Sequence, residues 1–498
     1  MDSVVAGLLL LLDPYVIVVI IASAALGLFV GAVPGLTAAM AIALLVPVTF
    51  FMPPVPALAA MVTTSAMGIF AGDIPGALLR IPGTPASAAY ADEAYAMTRK
   101  GQGETALGAG LVFSALGGML GTIVLVIAAP MLAEFALNFS SFEYFWLVCL
   151  GLTCAVFVAK GSLLKALLSL LIGLLVATIG MENPAAYPRF TFGFTALTAA
   201  IEFIPAMIGL FAISEILRMM SQPNQSLPPV QMPSGSLFAG QWELAKRYPK
   251  QWLRGSAIGT LIGALPGAGC DIAAWVTYAT SKRFSKEPEK FGTGHVEGII
   301  ESGAANNAAV SGTWIPALVF GIPGDTITAI VIGVLYLKNL LPGPLIFQNQ
   351  PELITALFAV FFIANILMLP FGWLAIKLSV RMLRVSRSIL MPIIMIFCII
   401  GAFAITNSAF AIGVMLVFGI LGFVLEEHGF PVAPIILGIV LGPLLEQNFF
   451  NSMIKADGSV LAFFARPIAG LLGVATLLLW AGMLWYWSRN RRLAEAAT

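Results

Sequence analysis

Apolar stretches about as long as a hydrocarbon core is thick, some 20 residues, recur from one end of the chain to the other. Residues 111–132, 145–158, 353–369 and 461–487 are examples. The pattern predicts an all-α polytopic membrane protein. Counting apolar runs and the Pro-Gly segments described below predicts about 10–14 membrane segments, including re-entrant hairpins. One polar break stands out, residues 221–250, with Gln-Pro-Asn-Gln-Ser-Leu-Pro-Pro followed by Lys246, Arg247 and Lys250. It reads as a linker between a first transmembrane repeat, 1–220, and a second, 251–498.

The two halves carry matching strings in the same order. Gly31-Ala-Val-Pro-Gly35 corresponds to Gly263-Ala-Leu-Pro-Gly267, an offset of 232 residues. Ile74-Pro-Gly-Ala-Leu-Leu-Arg-Ile-Pro-Gly83 corresponds to Ile315-Pro-Ala-Leu-Val-Phe-Gly-Ile-Pro-Gly324, an offset of 241 with five of ten positions identical. Gly173…Asn183 and Gly438…Asn448 match more faintly. Duplicated halves are a recurrent transporter architecture, often with inverted topology, and inversion is the expectation here.

Composition strengthens the membrane reading. Of 498 residues, 59% are hydrophobic and only 10% charged, against about 25% charged in soluble domains. A soluble fold of this size lacks the polar surface it would need. The net charge of +1 and the absence of a basic face give no sign of a nucleic-acid partner. The chain opens on Met1-Asp2-Ser3, without the positive start of a secretory signal, so the segment to Val30 is expected to be a retained span. Basic clusters at Lys377, Arg381, Arg384 and Arg387, and at Arg489, Arg491 and Arg492, fit cytoplasmic loops with about four apolar segments between them. Lys282, Arg283, Lys286 and Lys290 form a third such loop, and Trp480, Trp485, Tyr486 and Trp487 fit an interfacial anchor. Cys149, Cys154, Cys270 and Cys398 form no Cys-x-x-Cys pair, and with only His295 and His428 beside them they predict no zinc site. They read as buried small hydrophobes.

The chemistry concentrates where the helices should break. Proline lacks an N–H and clashes with the preceding turn, and unpartnered backbone groups persist at membrane depth only inside protein or beside water. Pro34-Gly35, Pro82-Gly83, Pro266-Gly267 and Pro323-Gly324 place such breaks in matching positions of both halves. Paired interruptions point to a substrate site; kinks or close helix packing are the alternative. Thr84 and Ser87 follow the first Ile-Pro-Gly, where a helix start would attract an anion. Asp325, Thr326 and Thr328 follow the second. Asn306 and Asn307 sit in an apolar run, where their amides need partners. They could donate to a carboxylate, accept a sodium ion on their oxygens, or tie helices together. Asp73, Asp271, Glu301 and Asp325 are intramembrane acids near the breaks. Asp271 and Asp325 are the stronger sodium-ligand candidates, with a helix cap as the plain alternative. Residues 92–100 are amphipathic and read as a solvated surface helix. No Walker A, Gly-x-Ser-x-Gly or His-Glu-x-x-His motif occurs, so an enzyme has no evident nucleophile or metal site. An anion channel and a membrane-embedded enzyme are the competing classes.

These residues resemble the large permease subunit of the tripartite tricarboxylate transporter family. The resemblance is carried by Ile81-Pro-Gly-Thr-Pro-Ala-Ser-Ala-Ala with Ala94-Tyr-Ala-Met, Lys100-Gly-Gln and Ala106-Leu-Gly. Phe291-Gly-Thr-Gly, Asn306-Asn-Ala, Gly321-Ile-Pro-Gly and Leu341-Pro-Gly-Pro-Leu-Ile-Phe347 add to it, as do Gly263-Ala-Leu-Pro-Gly-Ala-Gly269 and Arg189-Phe-Thr-Phe-Gly193. It implies a secondary transporter of the bacterial inner membrane importing di- or tricarboxylates, with citrate among the candidates. It also implies a small membrane subunit, a periplasmic substrate-binding protein and a sodium or proton gradient as partners in transport. No cofactor is implied beyond sodium as coupling ion. By position, Pro34, Gly35, Pro82, Gly83, Thr84, Ser87, Asn306, Asn307, Pro323, Gly324 and Thr326 would line the substrate site.

Overall fold

A computed structural model describes residues 2–159, 161–181, 187–221, 235–383 and 387–495. Most of the polar linker (222–234), Asn183 and Arg384 lie outside the described residues, as do the side chains of Arg387, Tyr486, Trp487, Arg489, Arg491 and Arg492. The fold is all-α, 80% helical. Its one β-bridge among the described residues joins Gly180 to Arg189. Seven helices are long and apolar enough to cross a membrane, from Pro14–Ala32 to Ala433–Lys455, and shorter apolar helices such as Ala38–Phe50 and Thr326–Leu337 add to them. Large apolar side chains face outward along these helices, among them Val18, Ile127, Met131, Ile366, Val417 and Leu478. Such a surface suits lipid, and the chain is a multi-pass membrane protein.

The chain divides into two compact units. The larger comprises Met1–Glu134 and Glu202–His428, the smaller Phe135–Ile201 and Gly429–Thr498. In the larger unit the helices that matter for the site are α1 (Pro14–Ala32), α2 (Ala38–Phe50), α3 (Pro54–Ala71), α4 (Asp73–Leu79), α5 (Ala91–Arg99), α6 (Gly103–Ala136), α7 (Pro249–Gly263), α8 (Gly269–Phe284), α9 (Val296–Phe320) and α10 (Thr326–Leu337). Local chemistry sets their starts. Asp13 accepts from the Tyr15 N–H at 2.8 Å with Pro14 at the first helical position, and Thr37 accepts from the Met40 N–H at 3.1 Å. Both are side-chain caps of otherwise orphaned N–H groups.

Helix α9 is buried from Glu297 to Val319. Because protein surrounds it, it can carry Glu297, Glu301, Ser302, Asn306, Asn307, Ser311 and Thr313 without meeting lipid. Close packing around it depends on small residues. Gly255, Gly259 and Gly263 of α7 face the carbonyls of Glu301, Ala305 and Ala309 at distances that leave no room for a Cβ. On the other side α1 meets α3 in the same way, with Gly27 against Thr64 O and Gly31 against Gly68 O.

In the smaller unit, the Leu163–Ala177 helix lies on Ala433–Lys455, with Gly173 against Ile435 O and Gly438 against the Gly173 backbone. Trp146 donates from Nε1 to Phe463 O at 2.9 Å within a cluster of Phe142, Phe145, Phe449 and Phe464. Arg189, from the family-like Arg189-Phe-Thr-Phe-Gly193 string, pairs in bidentate fashion with Glu446, both bonds at 2.8 Å.

Candidate substrate and cation site

The Pro-Gly segments are where three backbones converge. Gly83 N–H donates to Gly72 O at 3.0 Å. A Cβ on Gly83 would stand 2.6 Å from Gly31 O and 2.7 Å from Gly72 Cα, and a Cβ on Gly72 would stand 2.6 Å from Thr84 Cγ2. Only glycine permits this approach. The second half repeats the contact: a Cβ on Gly324 would stand 2.9 Å from Gly263 O and 2.8 Å from Thr313 Cα. The partners correspond at the offsets read from the sequence, 263 − 31 = 232 for the first helix, and 324 − 83 = 313 − 72 = 241 for the rest.

The correspondence extends beyond the motifs. The carbonyls met by Gly27 and Gly31 belong to Thr64 and Gly68; those met by Gly259 and Gly263 belong to Ala305 and Ala309, again 241 apart. Gly35 and Gly267 both turn with positive φ, 93° and 81°, and so do Arg80 and Gly321, 61° and 68°. After each break the chain forms the same cap. Thr84 N–H donates to Ser87 Oγ at 3.2 Å and Ser87 N–H to Thr84 Oγ1 at 3.1 Å. Asp325 N–H donates to Thr328 Oγ1 at 2.9 Å and Thr328 N–H to Asp325 Oδ1 at 2.8 Å. The Thr84 and Ser87 hydroxyls therefore hold the turn, and Asp325 caps α10 with Thr326 as its first residue. Ser87 begins only a short 3₁₀ turn, and α5 starts at Ala91. Pro34 lies between the end of α1 and the Thr37 cap of α2, and Pro82 and Pro323 precede the converging glycines.

The asparagines lie at the centre of this arrangement. Asn307 Nδ2 donates to Ala66 O at 3.2 Å. Ala66 stands at the same 241-residue offset from Asn307, and the two are in contact. A carbonyl can only accept, which fixes the amide orientation, and Asn307 Oδ1 has no partner among the described residues. Asn306 Nδ2 donates to Tyr90 OH at 3.2 Å, and Tyr90 OH donates to Asp73 Oδ1 at 2.7 Å. Asn306 Oδ1 and Asp73 Oδ2 lack partners among the described residues. Both amides thus commit their donors to protein and leave oxygens open, an arrangement suited to a cation. Sequence reasoning passed over Tyr90; a hydroxyl-bearing aromatic just after the Thr84–Ser87 motif was the available signal.

The other buried acids are occupied. Glu301 forms a bidentate pair with Arg254 at 2.6 and 2.7 Å. Glu297 accepts from Ser285 and Gln251 and touches His295. Glu93 corrects the expectation of a solvated 92–100 segment. Asp92 is exposed and pairs with exposed Arg80, but Glu93 is fully buried. It accepts from the N–H groups of Gly292, Gly294 and His295 and from Tyr278 OH. The glycines at φ 86° and 99° aim that loop's N–H groups at the carboxylate, a tertiary match that no local pattern announces. Asp271 lies in the first turn of α8, half-buried, and both it and Asp325 act electrostatically on Cys270. No group of three or more metal-binding His, Cys, Asp or Glu side chains occurs among the described residues.

A family model described as "Tripartite tricarboxylate transporter TctA family" matches residues 17–437. The chain belongs to that family. It is 36% identical over 447 residues to a protein of Agrobacterium vitis called "Uncharacterized 52.8 kDa protein in TAR-I ttuC' 3'region", covering 90% of this chain and 89% of that one. A second Agrobacterium vitis protein, "Uncharacterized protein in TAR-II ttuC' 3'region", is 40% identical over 217 residues, 43% of this chain and 90% of its own. No solved structure matches. The TctA match covers every residue of the candidate site, including both Pro-Gly convergences and the Asn306-Asn307 pair.

Proposed function

We propose that this TctA-family chain is the permease subunit of a binding-protein-dependent secondary transporter that imports di- or tricarboxylates across the bacterial inner membrane by alternating access, driven by sodium. The family match across 17–437 carries the reading. The recurrence of one backbone convergence in both halves supports a duplicated, inverted transporter frame with its site where the halves meet. The carboxylate is held between the Pro34-Gly35, Pro82-Gly83 and Pro323-Gly324 segments. A periplasmic binding protein delivers it, and a small membrane subunit completes the complex. The membrane potential opposes entry of each uncompensated negative charge by about 2.3 kcal/mol per 100 mV, so co-transported cations supply the compensation.

The test is uptake of labelled citrate and C4-dicarboxylates into proteoliposomes holding this chain and its small partner, with the binding protein added or withheld and a sodium gradient imposed. Saturable accumulation that needs both the binding protein and sodium is the expected result. Uptake that ignores the binding protein, or a steady anion conductance, would replace the proposal with a simple carrier or a channel.

A further inference from the structure

The intramembrane carboxylates can be compared by what each one touches. Glu301 has Arg254, and Glu93 has three backbone N–H groups and a tyrosine hydroxyl. Glu297 has Ser285, Gln251 and His295, and Asp325 has the N–H and hydroxyl of Thr328. Asp73 differs. It is buried, only 7% exposed, and has a single hydrogen bond, from Tyr90. No Lys, Arg or His forms an ion pair with it among the described residues. Among those residues its second oxygen is unpartnered, and so is the oxygen of Asn306, which is joined to it through the one tyrosine hydroxyl. A carboxylate taken out of water needs a compensating charge or full hydrogen bonding, and here the protein supplies neither.

The internal repeat excludes a purely architectural role. At offset 241 the counterparts of Asp73, Tyr90 and Asn306 are Trp314, Val331 and Ser65. The second glycine convergence and its cap form with Trp314 and Val331 where the first has Asp73 and Tyr90, and the first half has Ser65 where the second has Asn306. The polar trio is an asymmetric addition to a frame that does not require it. It lies against α6, where a Cβ on Gly110 would stand 3.4 Å from Asp73 Oδ2.

We propose that Asp73 Oδ2 and Asn306 Oδ1 are ligands of the coupling sodium ion, with Tyr90 as the positioning residue that holds both. The proposal rests on the transport reading for the word coupling, but not for the binding itself. Each ligand is a hard oxygen, as a small alkali cation prefers, and the carboxylate supplies the charge that balances the ion. Asp271 and Asp325 are the alternative cation ligands, and variants separate the two possibilities.

The experiment is binding of radioactive sodium to the purified full chain in nanodiscs, with choline holding ionic strength constant. Wild type should bind sodium saturably. Asp73→Asn and Asn306→Ala should abolish that binding, and Tyr90→Phe should weaken it about 10–100-fold, as loss of a supporting partner does. Should a variant fail to fold, hydrogen exchange of the wild type serves instead: sodium should slow exchange in 69–79 and 300–310. Wild-type affinity in Asp73→Asn, protection confined to 266–275 and 322–330, or no saturable sodium binding by wild type would each overturn the proposal. Sodium binding at Asp73 in a protein that imports no carboxylate would uphold this site and reject the transport reading. Sodium-driven uptake intact in Asp73→Asn would do the reverse.

Discussion

At the scale of single residues, the packing around the Pro-Gly segments leaves no tolerance. Gly83→Ala would press a Cβ against Gly31 O and Gly72 Cα at 2.6 and 2.7 Å. Overpacking of this kind costs about 1–3 kcal/mol, read as a lower thermal midpoint of the purified protein. Gly413→Ala is the control, because nothing lies within 4 Å of its added Cβ, and loss of a helical glycine stabilises by about 0.5–1 kcal/mol. Asn307 bears on transport more than on folding. Its amide touches Ala66 O and keeps Oδ1 open. Asn307→Ala, like Asn306→Ala, is expected to abolish uptake while the protein still inserts. Wild-type rates in both would remove the asparagines from the site.

At the scale of elements, the Gly292–His295 loop and α5 are held together by one carboxylate. Glu93→Ala would remove the partner of three N–H groups and of the Tyr278 hydroxyl, costing about 1–3 kcal/mol where water cannot replace it. Faster hydrogen exchange at 291–296, with little change in α1 and α3, is the expected signature; unchanged exchange would mean the loop is held elsewhere. The same contact sets the start of α9, and so the height of Asn306 within the unit. Helix α9 also shows why an element at the heart of a membrane protein need not be apolar: buried by α7, α8 and its other neighbours, it meets no lipid.

At the scale of the molecule, sidedness follows from joining the basic loop to α5. Lys100 Nζ donates to Thr293 O at 2.7 Å, so Arg99 and Lys100 share a face with Lys286 and Lys290. The positive-inside tendency predicts that this face is cytoplasmic. Single cysteines at Arg99 and Lys286, both exposed, should resist a membrane-impermeant maleimide in intact cells and react in inverted vesicles. Labelling of the two from opposite sides would contradict the contact.

The sequence by itself determined the class of fold, because recurrent apolar runs of about 20 residues can satisfy their backbones in lipid only as helices. It also determined which glycines and prolines recur, because a close backbone approach requires glycine wherever it occurs, and the offsets of 232 and 241 survive as contacts. What only the tertiary structure decided is which polar groups already have partners. The sequence ranks Asp325 above Asp73 as a cation ligand and reads Glu93 as part of a solvated face. Three-dimensional packing brings a hydroxyl to Asp325, a loop of N–H groups to Glu93 and an arginine to Glu301 and, among the described residues, leaves one oxygen of Asp73 and the asparagine oxygens open. The Thr84–Ser87 and Asp325–Thr328 caps are local, but the partners of Glu93, Glu301 and Asn306 lie tens to hundreds of positions away, and no local pattern encodes those.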